Sequence, residues 1–130
     1  MASDLQALWL TALLAATTTL LLVPLASPLA WWLARSSSPS RSLIEAVVAM
    51  PLVLPPTVLG FYLLIMLNPE SAVGSLWVEL TGDSLTFSFS GLVIASIIYS
   101  LPFMVQPLQA AFLAVPESVL EAAATLGASP

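Results

Sequence analysis

Two segments of this chain carry residues whose types and spacing could do chemistry. The first runs from Pro116 to Gly127, where Glu117, Glu121 and Thr125 recur every four residues and share one face of a helix. Proline suits the first helical position and glycine the left-handed residue after the last, so the stretch predicts a helix. Its two glutamates repel each other by roughly 0.3 kcal/mol, a cost that a basic partner would offset. We interpret it as a partner-binding helix or, alternatively, as a short interfacial helix.

The second segment is the proline-rich stretch from Met50 to Gly60, with the sequence MPLVLPPTVLG. Each interior proline removes one helical hydrogen bond, so an uninterrupted helix cannot pass through this stretch without strain. A helix that restarts at Pro55 or Pro56 would point the N–H groups of residues 57–59 into the break, and helix N-termini favour anions. The alternative is an ordinary kink repaired by neighbouring helices. The candidates for lining a translocation path are Pro55, Pro56, Thr57 and Gly60.

The elements that must position these segments are strongly apolar. Of the 130 residues, 59% are hydrophobic and 7% are charged, whereas soluble domains contain about 25% charged residues. Uncharged runs occupy residues 5–34, 46–69 and 84–116, and about 20 apolar residues suffice for one transmembrane helix. The sequence therefore predicts an all-α membrane protein, embedded in lipid, with three transmembrane helices at about 5–33, 43–67 and 91–115.

The composition also excludes several classes of function. A net charge of −5 with only two basic residues leaves no patch that could neutralise nucleic-acid phosphates. The chain has no cysteine and no histidine, which removes disulfides and the usual soft metal ligands. It contains neither a Ser/His/Asp arrangement nor a glycine-rich phosphate loop. We therefore expect no nucleic acid, no metal, no cofactor and no enzymatic activity of its own.

The distribution of basic residues predicts the orientation in the membrane. Arg35 and Arg41, the only basic residues, lie between the first two predicted spans, so this loop is expected in the cytoplasm. The segment after the third span lies on the same side, which places the helix that follows Pro116 in the cytoplasm and the N-terminus outside.

The connection between the second and third predicted spans is expected to be external. Val73, Leu76, Trp77 and Leu80 recur at helical spacing and predict a short amphipathic helix on the membrane surface. Residues 85–90 alternate between apolar and polar side chains, which predicts an extended lead-in to the third span.

Two sets of residues resemble known permease subunits. Glu121-Ala122-Ala123, followed by Gly127, is similar to the EAA loop of permeases in bacterial ATP-driven importers. The stretches 52–62, 101–105 and 120–129, in that order, resemble the molybdate permease subunit of ABC importers. This second resemblance covers nearly the whole chain, and the proline-rich stretch is its distinctive part.

The resemblance implies both a fold and a set of partners. Residues 1–130 would form the N-terminal part of a MetI-like permease domain, truncated after the EAA motif, in the bacterial inner membrane. The helix at about 116–127 would be a cytoplasmic coupling helix that docks on an ATP-binding subunit, where ATP is hydrolysed. The family also implies a homodimer and a periplasmic binding protein that delivers molybdate, tungstate or sulfate. The ATPase-coupling residues would be Glu121, Ala122, Ala123 and Gly127.

An alternative from another class is a small three-span structural or pore-forming membrane protein, such as a holin or an assembly factor. Such a protein would have no need of Glu121-Ala122-Ala123 followed by Gly127. It would also have no need of a Pro55-Pro56 break in its middle span.

Overall fold

The computed structural model describes residues 2–128, and within them it contains six helices and no strand. The predicted all-α class is therefore confirmed. The helices are α1 (Ala2–Arg35), α2 (Arg41–Val53), α3 (Pro56–Leu67), α4 (Ala72–Thr81), α5 (Phe89–Ala114) and α6 (Glu117–Thr125).

The main helix pair consists of α1 and α5, which run in the same direction. Buried residues on one face of α1 pack against α5 around Val105, and these are Leu22, Ala26, Ala30 and Leu33. Small residues such as these alanines let two helix backbones approach closely within a membrane. The last turns of the two helices also meet, since the ring centroids of Trp31 and Phe112 lie 5.2 Å apart.

Helix α2 packs against α5 in the opposite direction. Val48 joins the α1–α5 core, and Glu45 near the start of α2 contacts Gln109 near the end of α5. We call the end of the molecule that contains Arg35 and the junction of α5 with α6 the α6 end. The opposite end, which contains α4 and residues 68–90, is called the α4 end.

In the structure the predicted second span, residues 43–67, is a bent pair of helices that is broken within the proline-rich stretch. Helix α2 ends at Val53 and α3 begins at Pro56, and the two axes are bent by 113°. The 13 residues of α2 rise about 20 Å, which is less than the ~30 Å of a hydrocarbon core. Two described helices, α1 and α5, are long and apolar enough to cross a membrane, and the bent pair makes at most a third span.

Helices α4 and α5 begin with the same local structure. In each, the N-cap serine donates its hydroxyl to the carbonyl three residues earlier and accepts from the N–H of a glycine three residues later. The hydroxyl of Ser71 lies 2.6 Å from the oxygen of Asn68 and 3.0 Å from the nitrogen of Gly74. Ser88 makes the equivalent bonds to Leu85 and Gly91, at 2.7 and 3.0 Å. A Cβ at either glycine would collide with the carbonyl oxygen that the serine binds.

This capping structure overrides the predicted extended lead-in at residues 85–90. The chain makes a turn there, with Phe87 at a φ of 57° and 98% exposed, while Leu85 is buried. The alternating pattern was misleading because a short segment without a partner strand gains more from capping α5 than from extending. By contrast, the predicted short helix is confirmed as α4, and its place on the membrane surface stays a prediction.

The two capped starts yield a stability prediction. Replacing Gly91 or Gly74 by alanine should lower the free energy of unfolding by about 1–3 kcal/mol, as is typical of overpacking. The matched control is Gly60→Ala, because nothing lies within 4 Å of the added methyl group. The midpoint of thermal unfolding of the purified permease measures the effect. Equal midpoints for all three variants would contradict the close approach of these two glycines to the carbonyl groups of Asn68 and Leu85.

Candidate functional site

The segment with the EAA-like residues forms α6, which is separated from α5 by a two-residue bend. Val115 and Pro116 are both extended, with ψ angles of 120° and 144°. Helix α6 begins at Glu117, so Pro116 is its N-cap and not its first helical residue, a correction of one position. The Glu117 carboxylate lies in the first turn, where it complements the positive end of the helix dipole.

The end of α6 is a Schellman motif built on Gly127. This glycine has a φ of 91°, so the predicted left-handed residue is confirmed. Its N–H bonds the carbonyl of Ala124, and the N–H of Ala128 bonds the carbonyl of Ala123, each at 3.1 Å. These are the two reverse bonds that define the motif and satisfy the last carbonyls of the helix.

Helix α6 projects from the rest of the described chain. None of its residues is buried, and Glu121 and Ala122 are exposed while Ala123 is half-buried. Within residues 2–128 the only ion pair joins Arg41 to Glu45, so the two glutamates of α6 have no basic partner there. The helix therefore presents an acidic face that is open to another molecule.

The junction of α5 with α6 is held by a side chain from α1. The Arg35 guanidinium donates through Nη2 to the carbonyl oxygens of Phe112 and Val115, at 2.8 and 3.1 Å. Its central carbon lies 5.2 Å from the centroid of the Trp31 ring. The Phe112 carbonyl also accepts from the N–H of Val115 at 3.3 Å, so Arg35 adds a second donor to it. Basic side chains near the C-terminus of a helix commonly bond its last carbonyls in this way.

A second polar contact ties α2 to the same end of α5. Oε1 of Glu45 accepts from Nε2 of Gln109 at 2.6 Å and from Nε of Arg41 at 3.4 Å. Sequence reasoning missed both this contact and the role of Arg35. The available signals were an arginine at the end of the first span and a glutamine inside the third.

The second candidate segment forms the break between α2 and α3. Leu54 and Pro55 are extended, with ψ angles of 136° and 144°, and α3 restarts at Pro56. The N–H of Leu59 bonds the carbonyl of Pro55 at 3.0 Å. The prediction that Leu59 points a free N–H into the break is therefore wrong, and for Thr57 and Val58 it stays a prediction. No side chain within residues 2–128 caps this helix start.

Three of the four candidate path residues line one cavity. Pro56, Thr57 and Gly60 face a mostly apolar space of about 590 Å³ between α3, the turn at residues 85–88 and the start of α5, whereas Pro55 lies outside its lining. On α5 this cavity reaches Ala95, which is roughly 30 Å along the helix from the start of α6. The structure therefore does not bring the two candidate segments together.

Comparison with known proteins places the chain in a transport class. Residues 26–130 match the family described as binding-protein-dependent transport system inner membrane component. This range contains the second part of α1 and all the later helices. The chain belongs to this family of inner-membrane transport components.

Within the family, the relatives include permeases for molybdenum. The chain is 56% identical over 127 residues to the molybdenum transport system permease protein ModB of Azotobacter vinelandii, covering 98% of this chain and 56% of that protein. It is 33% identical over 123 residues to ModB of Escherichia coli K12, covering 95% and 54%. It is 36% identical over 118 residues to the molybdate/tungstate transport system permease protein WtpB of Thermococcus kodakarensis, covering 90% and 42%.

These matches confirm the resemblance to molybdate permeases that the sequence motifs predict. The chain spans about half the length of the relatives it matches.

Proposed function

We propose that this chain is part of the permease subunit of an ATP-driven importer for molybdate or a related tetrahedral oxyanion. The observation that carries the proposal is the 56% identity to the Azotobacter vinelandii molybdenum permease across nearly the whole chain. Membership of a binding-protein-dependent transport family also favours this function over a holin-like or assembly role.

In this proposal α6 is the cytoplasmic coupling helix. Its support is that α6 lies at the same end as Arg35 and Arg41, the only basic residues of the chain, and basic residues favour the cytoplasmic side. The N-terminus would then be outside. The exposed acidic face would meet a cytoplasmic ATP-binding subunit, and ATP would be hydrolysed there and not in this chain. The contact residues would be Glu121, Ala122, Ala123 and Gly127.

The bent pair would border the translocation path. The C-terminal end of the α2 dipole and the N-terminal end of the α3 dipole both lie at the break. Backbone groups that are left unpaired at membrane depth must contact protein, water or a cavity. Arg35 and Arg41 are the only cations, and neither lies within α3 or α5. Weak attraction by helix ends suits a path that must also release its anion. Selection would then belong to a periplasmic oxyanion-binding protein, and two permease copies would form the channel, as the resemblance implies.

The coupling role predicts a defect from reversing one charge on α6. Glu121→Lys should raise the ATP hydrolysed per oxyanion taken up by about fivefold or more, the lower range of coupling between sites. The reason is that a lysine would repel the basic partner surface. The matched control is Glu79→Lys on α4, which makes the same charge change at the opposite end.

The measurement is uptake and ATP hydrolysis in vesicles that contain the permease and its ATP-binding subunit. Gly127→Pro should have the same effect as Glu121→Lys, because proline cannot adopt a φ of 91° or donate to Ala124. If both variants insert into the membrane and hydrolyse the normal amount of ATP per oxyanion taken up, α6 is not the coupling helix.

The path role predicts that straightening the bent pair strongly reduces transport. Replacing Pro55 and Pro56 together by alanine should cut uptake by about tenfold or more, since an interior proline disfavours a continuous helix by roughly 3 kcal/mol. Pro51→Ala is the control, because Pro51 lies inside α2 and its removal leaves the break in place. Oxyanion uptake into vesicles measures both. Unchanged uptake in the double variant would exclude the break from the path.

A further inference from the structure

We propose that Arg35 is a positioning residue that fixes the direction of α6 relative to the α1–α5 pair. The part of this proposal that concerns coupling rests on the proposed function of α6. Whether Arg35 fixes the direction of α6 does not depend on what α6 does.

Apart from Arg35, little holds α6. Its residues are exposed or half-buried, and it joins α5 through the extended pair Val115 and Pro116, which we call the hinge. Pro116 has a ring-fixed φ, so the ψ of Val115 is one of the few soft dihedrals between the two helices. A rotation about that bond would swing α6 as a unit.

Arg35 binds the carbonyl group whose direction changes with this rotation. The Val115 carbonyl turns with the ψ of Val115, and the guanidinium holds that oxygen at 3.1 Å. The same nitrogen holds the Phe112 carbonyl of the last turn of α5, at 2.8 Å. Arg35 therefore bridges the helix and the hinge, and a swing of α6 about the ψ of Val115 must break one of its two hydrogen bonds.

The guanidinium of Arg35 is itself held in place by aromatic side chains. It lies against the face of Trp31, one turn earlier on α1, and the Trp31 ring packs edge-on against Phe112. A guanidinium can stack on an aromatic ring and at the same time donate hydrogen bonds from the edge of its plane. The ammonium group of a lysine cannot do both. We call Trp31, Arg35 and Phe112 the hinge latch.

The side-chain hydrogen bonds between distant parts of the described chain are concentrated at the α6 end. Within residues 2–128, the side-chain hydrogen bonds that join residues more than 60 positions apart are the two of Arg35 and the Glu45–Gln109 bond. Each of these three hydrogen bonds has one partner in the last turns of α5 or in the hinge. Side-chain hydrogen bonds thus tie this end of α5 to α1 and α2, and only Arg35 reaches the hinge.

It follows that α6 moves with α1 as well as with α5. A displacement imposed on α6 by a partner reaches α1 through the hinge latch and does not bend the hinge. Loss of the latch would let α6 swing while the helix pair stays in place.

The test compares three variants of the permease in membranes. Arg35→Lys keeps the positive charge that orients the chain in the membrane but loses the planar guanidinium. Arg35→Gln loses the charge as well as the guanidinium. Arg41→Gln is the matched control, because Arg41 contributes the same charge in the same loop and contacts Glu45 and Ser36 but not the hinge. The chain contains no cysteine, so spin labels on Ser37→Cys and Ser118→Cys, both exposed positions, report one distance within this chain.

The distance distribution, measured without ATPase or oxyanion, should be narrow in the parent and in Arg41→Gln. It should be broad in Arg35→Gln and intermediate in Arg35→Lys. A narrow distribution in both Arg35 variants would overturn the proposal, whatever the function of α6.

The second measurement is ATP hydrolysed per oxyanion taken up by the permease assembled with its ATP-binding subunit. Arg35→Gln should raise this ratio by about fivefold or more, Arg35→Lys by less, and Arg41→Gln should leave it unchanged. Broadened distances with an unchanged ratio would overturn the coupling part of the proposal, because Arg35 would then fix α6 without any effect on transport. Should Glu121→Lys leave coupling intact, the proposed function of α6 would fail, while the distances would still decide whether Arg35 fixes the helix.

Discussion

The parallel packing of α1 against α5 is the constraint on which the rest of the structure depends. Because both helices finish at the same end, the chain between them must start at that end and return to the other. Helix α2 starts this return, and the bent pair, α4 and the turn at residues 85–88 complete it. The same constraint brings Arg35 within reach of the hinge before α6. The loop after α1 and helix α6 lie at the same end because α1 and α5 are parallel, although the two segments are far apart in sequence.

The molecule divides its polar chemistry between its two ends. At the α6 end, side chains from α1 and α2 tie down the last turns of α5 through charge-assisted hydrogen bonds. At the α4 end, polar contacts are local and serve to cap α4 and α5, while α3 borders a mostly apolar cavity. This division agrees with the proposed roles, in which a partner binds at the α6 end and the path lies near the α4 end.

Much of this architecture could be predicted from local sequence signals. The uncharged runs predicted α1 and α5, the spacing of Val73 and Leu76 predicted α4, and the left-handed Gly127 was expected from its position. The prolines predicted a break but not its angle of 113°, because that angle depends on how α3 packs against its neighbours. The partners of Arg35 could not be predicted, since they are main-chain carbonyls 77 and 80 residues away and carry no side-chain signal.

The central claim is that the α6 end faces the cytoplasm and the α4 end faces outside. The chain lacks cysteine, so the exposed positions in Asp83→Cys and Ser118→Cys variants can each be labelled selectively within it. A membrane-impermeant maleimide applied to intact cells should label the Asp83→Cys variant. It should label the Ser118→Cys variant only after the membrane is permeabilised. Labelling of the Ser118→Cys variant in intact cells as readily as the Asp83→Cys variant would contradict the account.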